Sequence, residues 1–181
     1  MDSSRQPLHE VYFYSDNGGF VRRLARVLAT DLMSGKGVMV VATEEHRGGL
    51  AREFAALGLD AKLAQSAGRY VSLDAHETVI ELLGGPGIDP AWFSDSFGGL
   101  LDEISGRSEH PCVSVFGEIV ALLMAESKPE EAIRLERIWN GLAREHDFAL
   151  RCAYPVSQFQ KLKDSELFMR VCAEHTDAHV Q

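Results

Sequence analysis

Cysteine is scarce in this chain and its spacing is uninformative: Cys112, Cys152 and Cys172 are the only three, with no C-x-x-C pair. An odd number without paired spacing fits reduced thiols and speaks against a disulfide framework or a cysteine zinc site. Beside core strands, Cys112 and Cys152 are expected to act as small hydrophobes. Runs of lysine or arginine are also missing. Eighteen basic residues against 27 acidic ones give a formal charge of −9 and a pI near 5.2. Nucleic-acid phosphates and anionic lipid are therefore not the expected partners. No apolar run approaches the length of a membrane span, and the polar start MDSSRQPLHE lacks the apolar segment of a signal peptide. The expectation is a cytoplasmic protein.

What the chain does have is one core's worth of apolar residues. At 181 residues and 45% hydrophobic content it is too short for two comfortable domains. A single domain over residues 1–181 is expected, with its core at about 9–160 and a C-terminal helix and tail at 161–181. Two hydrophobic periods alternate along it. HEVYFY (His9 to Tyr14) reads as a strand, SDNGG as the turn that ends it, and Phe20, Val21, Leu24, Val27, Leu28 and Leu32 as one face of a helix. SGKG stops that helix, and VMVVA (Val38 to Ala42) is a continuous apolar run of the kind buried on both faces of a parallel sheet. Thr43 then caps a helix whose first turn carries Glu44 and Glu45, and which ends at Gly58.

The middle of the chain repeats the rhythm less cleanly. AKLA (Ala61 to Ala64) and RYVSL (Arg69 to Leu73) are both strand candidates, and Asp74 with Glu77 makes a capping-box start for a helix through Leu83. GGPGIDP (Gly84 to Pro90) reads as a loop. Asp89 and Pro90 open a helix bearing the stripe Trp92, Phe93, Phe97, Leu100, Leu101 and Ile104, which suits a core face better than a cofactor box. CVSVFGEIVALL (Cys112 to Leu123) is the centre of the arrangement, a buried strand turning into a helix at Gly117-Glu118. A break at Ser127 and Pro129 restarts a helix anchored by Trp139. FALRCAY (Phe148 to Tyr154) is the last strong strand, Asp164 to His175 is a terminal helix, and the first eight residues and the tail TDAHVQ are expected to be loose.

This alternation implies an α/β three-layer sandwich with a mostly parallel central sheet and right-handed connections. Ligands of such sheets bind at the carboxyl ends of the strands. Tyr14 to Asn17, Thr43 to His46, Asp74 to Glu77, Glu118 and Tyr154 fall there. Tyr14, Glu45, His46, Asp74, Glu118 and Tyr154 are thus the candidate ligand-binding residues, with Glu118 first. Two roles stay open for Glu118, a ligand contact or a cap on the following helix. His46 and His76 lie in first helical turns as ligand donors or as surface residues. No nucleophile with an adjacent base is visible, so no catalytic residue is assigned. The glycine pair in YSDNGGFVRR sits where a phosphate loop would, yet Gly-Lys-Ser/Thr is missing. A weaker anion held by Gly18, Gly19, Arg22 and Arg23 and an ordinary glycine turn both remain open. His175 and His179 are the one i, i+4 histidine pair, in a tail expected to be loose, and no metal site or cofactor is assigned.

Five phrases, HEVYFY, VMVVATEEHRGGLAREFAALGLD, AGRYVSLDAHETV, VSVFGEIVALL and LERIWNGLAREHDFALRCAYP, occur in an order and spacing that resembles the MEDS domain, the sensory domain of methanogen and methylotroph regulators. The resemblance covers about residues 9–160. It implies a RecA/KaiC-like P-loop NTPase topology with a degenerate phosphate loop, and a sensor of small organic molecules such as hydrocarbon derivatives. Positions matching the family's recurring residues are His9, Glu45, His46, Gly68, Arg69, Tyr70, Asp74, Gly117, Glu118, Glu136, Trp139, Asn140 and Tyr154, which adds Arg69 to the ligand-binding set. Family members are often joined to histidine kinases, PAS modules or DNA-binding regulators. No such module is visible here, so the output is expected through a separate kinase, transcription or sigma-factor partner, or through homo-oligomerisation. The implied function is non-catalytic sensing. A nucleotide-binding ATPase with a non-standard phosphate loop is the alternative, and a pure interaction module with a vestigial pocket is a third reading.

Overall fold

The computed structural model describes residues 8–84, 87–159 and 164–181. Strand β1 (His9–Tyr14) leads through Asp16 into α1 (Asn17–Met33), followed by β2 (Val38–Ala42), α2 (Glu44–Ala56), α3 (Ala61–Ser66), β3 (Tyr70–Asp74) and α4 (Ala75–Leu82). Then come α5 (Pro90–Gly106), β4 (Val113–Gly117), α6 (Ile119–Ala125), α7 (Pro129–Leu142) and β5 (Phe148–Pro155), which runs into a short 3-10 turn at Val156–Phe159. Helix α8 (Asp164–Ala173) and strand β6 (Asp177–Val180) finish the chain. The sheet is six-stranded in the order β3-β2-β4-β5-β1-β6, and every pairing is parallel.

Burial explains the three layers. Successive residues of β2 face opposite sides, so Met39 and Val41 join the core beneath α4 to α8, while Val38, Val40 and Ala42 join the core beneath α1 and α2. On the first side Phe93 and Phe97 of α5 stack at 4.3 Å and meet the edge of Trp139, whose indole also contacts Phe148. The stripe on α5 is core, as its spacing implies; Trp92 alone stays at the surface. On the second side Phe20, Leu24 and Leu28 of α1 pack with Leu50 and Phe54 of α2.

Helix starts follow local chemistry closely. Thr43, Asp74 and Asp89 accept from backbone amides of the first turns of α2, α4 and α5, satisfying donors that have no intrahelical partner. Between α6 and α7 the break falls at Ser127, which takes a positive φ of 60° before Pro129 opens α7.

Two expected elements are corrected. AKLA is not a strand: Asp60 accepts from the Leu63 amide at 3.0 Å and caps α3 over this segment. Alanine, lysine and leucine are strong helix formers, and the run has no β-branched residue to favour extension. TDAHVQ is not loose: Asp177–Val180 pairs with β1 as the sheet's outer strand. Its exposed, polar pattern carries no period, and what holds it is the backbone of β1, which otherwise presents unpaired groups. Of the eight residues expected to be loose at the start, 1–7 lie outside the described residues, as do residues 85 and 86 of the GGPGIDP loop, while the Leu8 carbonyl accepts from the Leu150 amide at 2.8 Å. No helix among the described residues is long and apolar enough to cross a membrane.

Candidate functional site

Because every strand is parallel, the ends of β1, β2, β3, β4 and β5 share one edge, and the turns after them supply the candidate site. Glu118 occupies the N-cap position of α6 but makes no side-chain cap bond to its own helix. Its carboxylate, nearly fully buried, instead accepts from the Thr43 backbone amide and pairs with His46 Nδ1. His46 stands in the first turn of α2, and its Nε2 lies 2.5 Å from Asn17 Oδ1 at the start of α1. Asn17 donates through Nδ2 to Glu45 Oε1 at 2.8 Å. With that amide nitrogen committed to a carboxylate, the Asn17 oxygen must face the imidazole. Both ring nitrogens of His46 then meet oxygen acceptors, the arrangement of a doubly protonated imidazolium. Burial pulls the His46 pKa down, but the bond to Glu118 and the charges of Glu118 and Glu45 outweigh it and raise it above the ordinary value.

A cavity of about 230 Å³ opens over this relay, with Asn17, Glu45, His46 and Glu118 on its polar side and Ala121, Leu122, Ala125 and Pro155 on its apolar side. Tyr14 closes one wall and stacks on Phe20 at 4.5 Å. Burial, with the carboxylates of Glu118 and Glu45, pushes its phenol up to about 12. Gln158 reaches the same cavity and donates to the Ala121 carbonyl at 3.0 Å. Larger hollows open beside Gly87–Asp89 and beside Arg144–Phe148, yet no buried titratable side chain lines either.

Glu118, His46, Glu45 and Tyr14 therefore meet as expected, while the other three candidates stand apart from them. Asp74 shares the edge but lies outside this cavity, capping α4 and pairing with Arg47 Nη2 at 2.5 Å. Burial opposes its ionisation, and the amides of Glu77 and His76 with the Arg47 guanidinium overcome that to lower its pKa. Tyr154 is fully buried under the opposite face, donating to Glu136 Oε1 at 2.8 Å. Arg69 precedes β3 at the far edge of the sheet, where Nη1 bonds the Leu32 carbonyl at 3.0 Å and meets the negative end of α1. His76 is a surface residue. In the first loop the Asp16 carboxylate lies directly against Gly19, in the space a Cβ there would need. The Asp16 carboxylate thus stands over Gly19 without a cap bond to α1.

One group of residues escaped sequence reasoning. His9 of β1, Glu136 of α7, Cys152 of β5 and His175 beyond α8 converge in the core, their ligand-type atoms all within 4.8 Å of one another. The His175–His179 spacing was misleading: His175 turns inward to Glu136, whereas His179 lies on β6 and stacks on Tyr12. Burial would raise the Glu136 pKa, but His175 and His9 hold the carboxyl well below its usual range. Burial and the Glu136 charge push Cys152 and Tyr154 well above theirs.

A family model described as MEDS, the MEthanogen/methylotroph, DcmR Sensory domain, matches residues 8–175. The chain belongs to the MEDS family. The match starts next to His9 and ends at His175, so its two ends meet in space at Glu136. No curated protein matches the chain. Membership in MEDS carries a sensory, signal-transducing role.

Proposed function

We propose that the chain senses a small organic molecule in the cavity above Glu118 and relays its presence, without catalysis, to a separate signalling partner such as a histidine kinase or a transcription or sigma-factor regulator. The observation that carries this reading is the relay from buried Glu118 and His46 to half-buried Asn17 under a cavity of about 230 Å³, because it ties α1, α2 and the β4–α6 turn to one small space. A liquid water occupies about 30 Å³, so this space suits a molecule of a few heavy atoms. Its apolar wall takes a short hydrocarbon part, and Glu45 with Glu118 takes a hydrogen-bond donor such as an alcohol or ammonium group. Binding redistributes hydrogen bonds among three helix starts, and a partner that reads their relative positions responds to differential affinity for the two arrangements.

Asp16 supports the choice of an organic ligand over a nucleotide. Its carboxylate over Gly19 repels phosphate at the loop where a P-loop would bind it. Calorimetric titration with short-chain alcohols and alkylamines, beside Mg-ATP, tests the reading. Saturable binding of one of the organic series, abolished in Ala121→Trp, is expected. Micromolar Mg-ATP binding with none by the organic series would replace this reading with the nucleotide one.

A further inference from the structure

The convergence of His9, Glu136, Cys152 and His175 has no part in the pocket above Glu118, and its geometry is that of metal ligands. Asn140 Nδ2 donates to the Glu174 carbonyl at 2.9 Å, so Asn140 Oδ1 must face His9 Nδ1, 2.9 Å away, and accept its proton. His175 Nδ1 lies 2.7 Å from the Val171 carbonyl, which can only accept. Both imidazoles therefore spend their Nδ1 protons outward and aim Nε2 inward at the same carboxylate, 3.2 Å for His9 to Oε2 and 3.4 Å for His175 to Oε1. His175 Nε2 makes no hydrogen bond, although its side chain has no solvent exposure. Metal-bound histidines characteristically donate their second N–H to a carbonyl or carboxylate in this way.

The spacing agrees. Cys152 Sγ lies 3.3 Å from Glu136 Oε2 and 3.5 Å from His9 Nε2, closing a triangle with the 3.2 Å His9–Glu136 distance. A tetrahedral zinc ion with bonds of about 2.0–2.3 Å to N, O and S has ligand–ligand edges of roughly 3.3–3.6 Å. Tyr154 donates to the other Glu136 oxygen, Oε1, at 2.8 Å, and Oε2 faces Cys152 and His9. We infer that His9, Glu136, Cys152 and His175 form a buried zinc site of the structural kind, closed by four protein ligands. Two nitrogens, one thiolate and one carboxylate suit zinc, a borderline-soft ion without geometric preference of its own. The ligands come from β1, α7, β5 and the turn after α8, so the ion pins the C-terminal segment to the sheet. Binding converts the Cys152 thiol to a thiolate and releases its proton.

The trio Glu10, Asp177 and His179, of which only Asp177 is exposed, is the nearby competitor and lacks a sulfur ligand. The full chain, refolded from urea in chelator and shown to be folded by circular dichroism, is titrated with Co(II) as the spectroscopic probe and then with Zn(II). One equivalent of Co(II), visible tetrahedral bands and a near-ultraviolet thiolate-to-cobalt band are expected, all displaced by Zn(II) with a rise in Tm. The Cys112→Ser/Cys172→Ser double variant keeps the thiolate band, Cys152→Ser loses it, and Asn140→Ala weakens Zn(II) binding about 10–100-fold. Folded wild-type protein that takes up neither ion at submillimolar concentration overturns the assignment. So does a cobalt spectrum without the thiolate band, which is read on the wild-type chain and needs no variant to fold.

Discussion

Glu118, before α6, and His46, in the first turn of α2, hold one another beneath the carboxyl edge of the sheet, each about 95% removed from solvent. The carboxylate could have capped α6, whose N-cap position it occupies, yet it reaches from the end of β4 to the start of α2. Glu118→Gln leaves the His46 imidazolium facing a neutral amide in a buried site. Removing one partner of such a pair costs about 3–5 kcal/mol. Urea unfolding of Glu118→Gln, His46→Gln and the double variant measures the coupling. The double variant is expected to be more stable than the sum of the single losses implies, and strict additivity would show that the pair is not coupled.

The same pair gives stability a pH dependence with a defined sign. The native pKa of His46 is raised above its unfolded value of about 6.5. The stability that its charge contributes is fully present below about pH 6.5 and is lost as pH rises through the higher native value. Wild-type and His46→Gln unfolding free energies, compared from about pH 5.5 to about pH 9, should therefore converge as pH increases. A gap that widens toward alkaline pH would contradict the charged imidazole.

Much of this edge was legible because short-range chemistry decides it. VMVVA admits little but a strand buried on both faces, Thr43 and Asp74 mark the helices that follow, and parallel pairing then brings Tyr14, His46 and Glu118 together. Long-range geometry was not legible. His9 and His175 meet across nearly the whole chain with no local pattern between them, and Tyr154 differs from Tyr14 only in which face of the sheet its side chain takes. Arg69 lies just before β3 and Asp74 at its carboxyl end, so direction along the strand separates the two.

All four tyrosines are shifted the same way. Burial is the leading cause for Tyr12, Tyr14, Tyr70 and Tyr154, reinforced at Tyr12 by Glu10, at Tyr14 by Glu118 and Glu45 and at Tyr154 by Glu136. Alkaline ultraviolet titration of the folded protein should show no phenol ionising at the ordinary value of about 10, with Tyr14 near 12. Native protons held past the unfolded pKa mean that stability falls as pH rises above about 10. A tyrosine that titrates normally before unfolding would place its ring at the surface.

Strand β6 shields the outer edge of β1. Its backbone continues the ladder through Thr176 N–H to the His9 carbonyl at 2.7 Å and Gln181 N–H to the Phe13 carbonyl at 2.8 Å, and His179 covers the Tyr12 ring at 4.7 Å. Deleting residues 177–181 keeps Thr176 and His175 but bares the groups of β1 that β6 satisfies. Exposed parallel edges recruit other chains. Sedimentation velocity should show the truncated chain self-associating more strongly than the intact chain at equal concentration, with the far-ultraviolet spectrum of the remaining sheet retained. Glu10 then loses its His179 contact at 3.1 Å while keeping Arg151 at 3.2 Å, so charge alone does little to repel an incoming strand. A truncated chain that sediments like the intact one would mean that β1 is protected by the packing of its side chains and that β6 adds only local order.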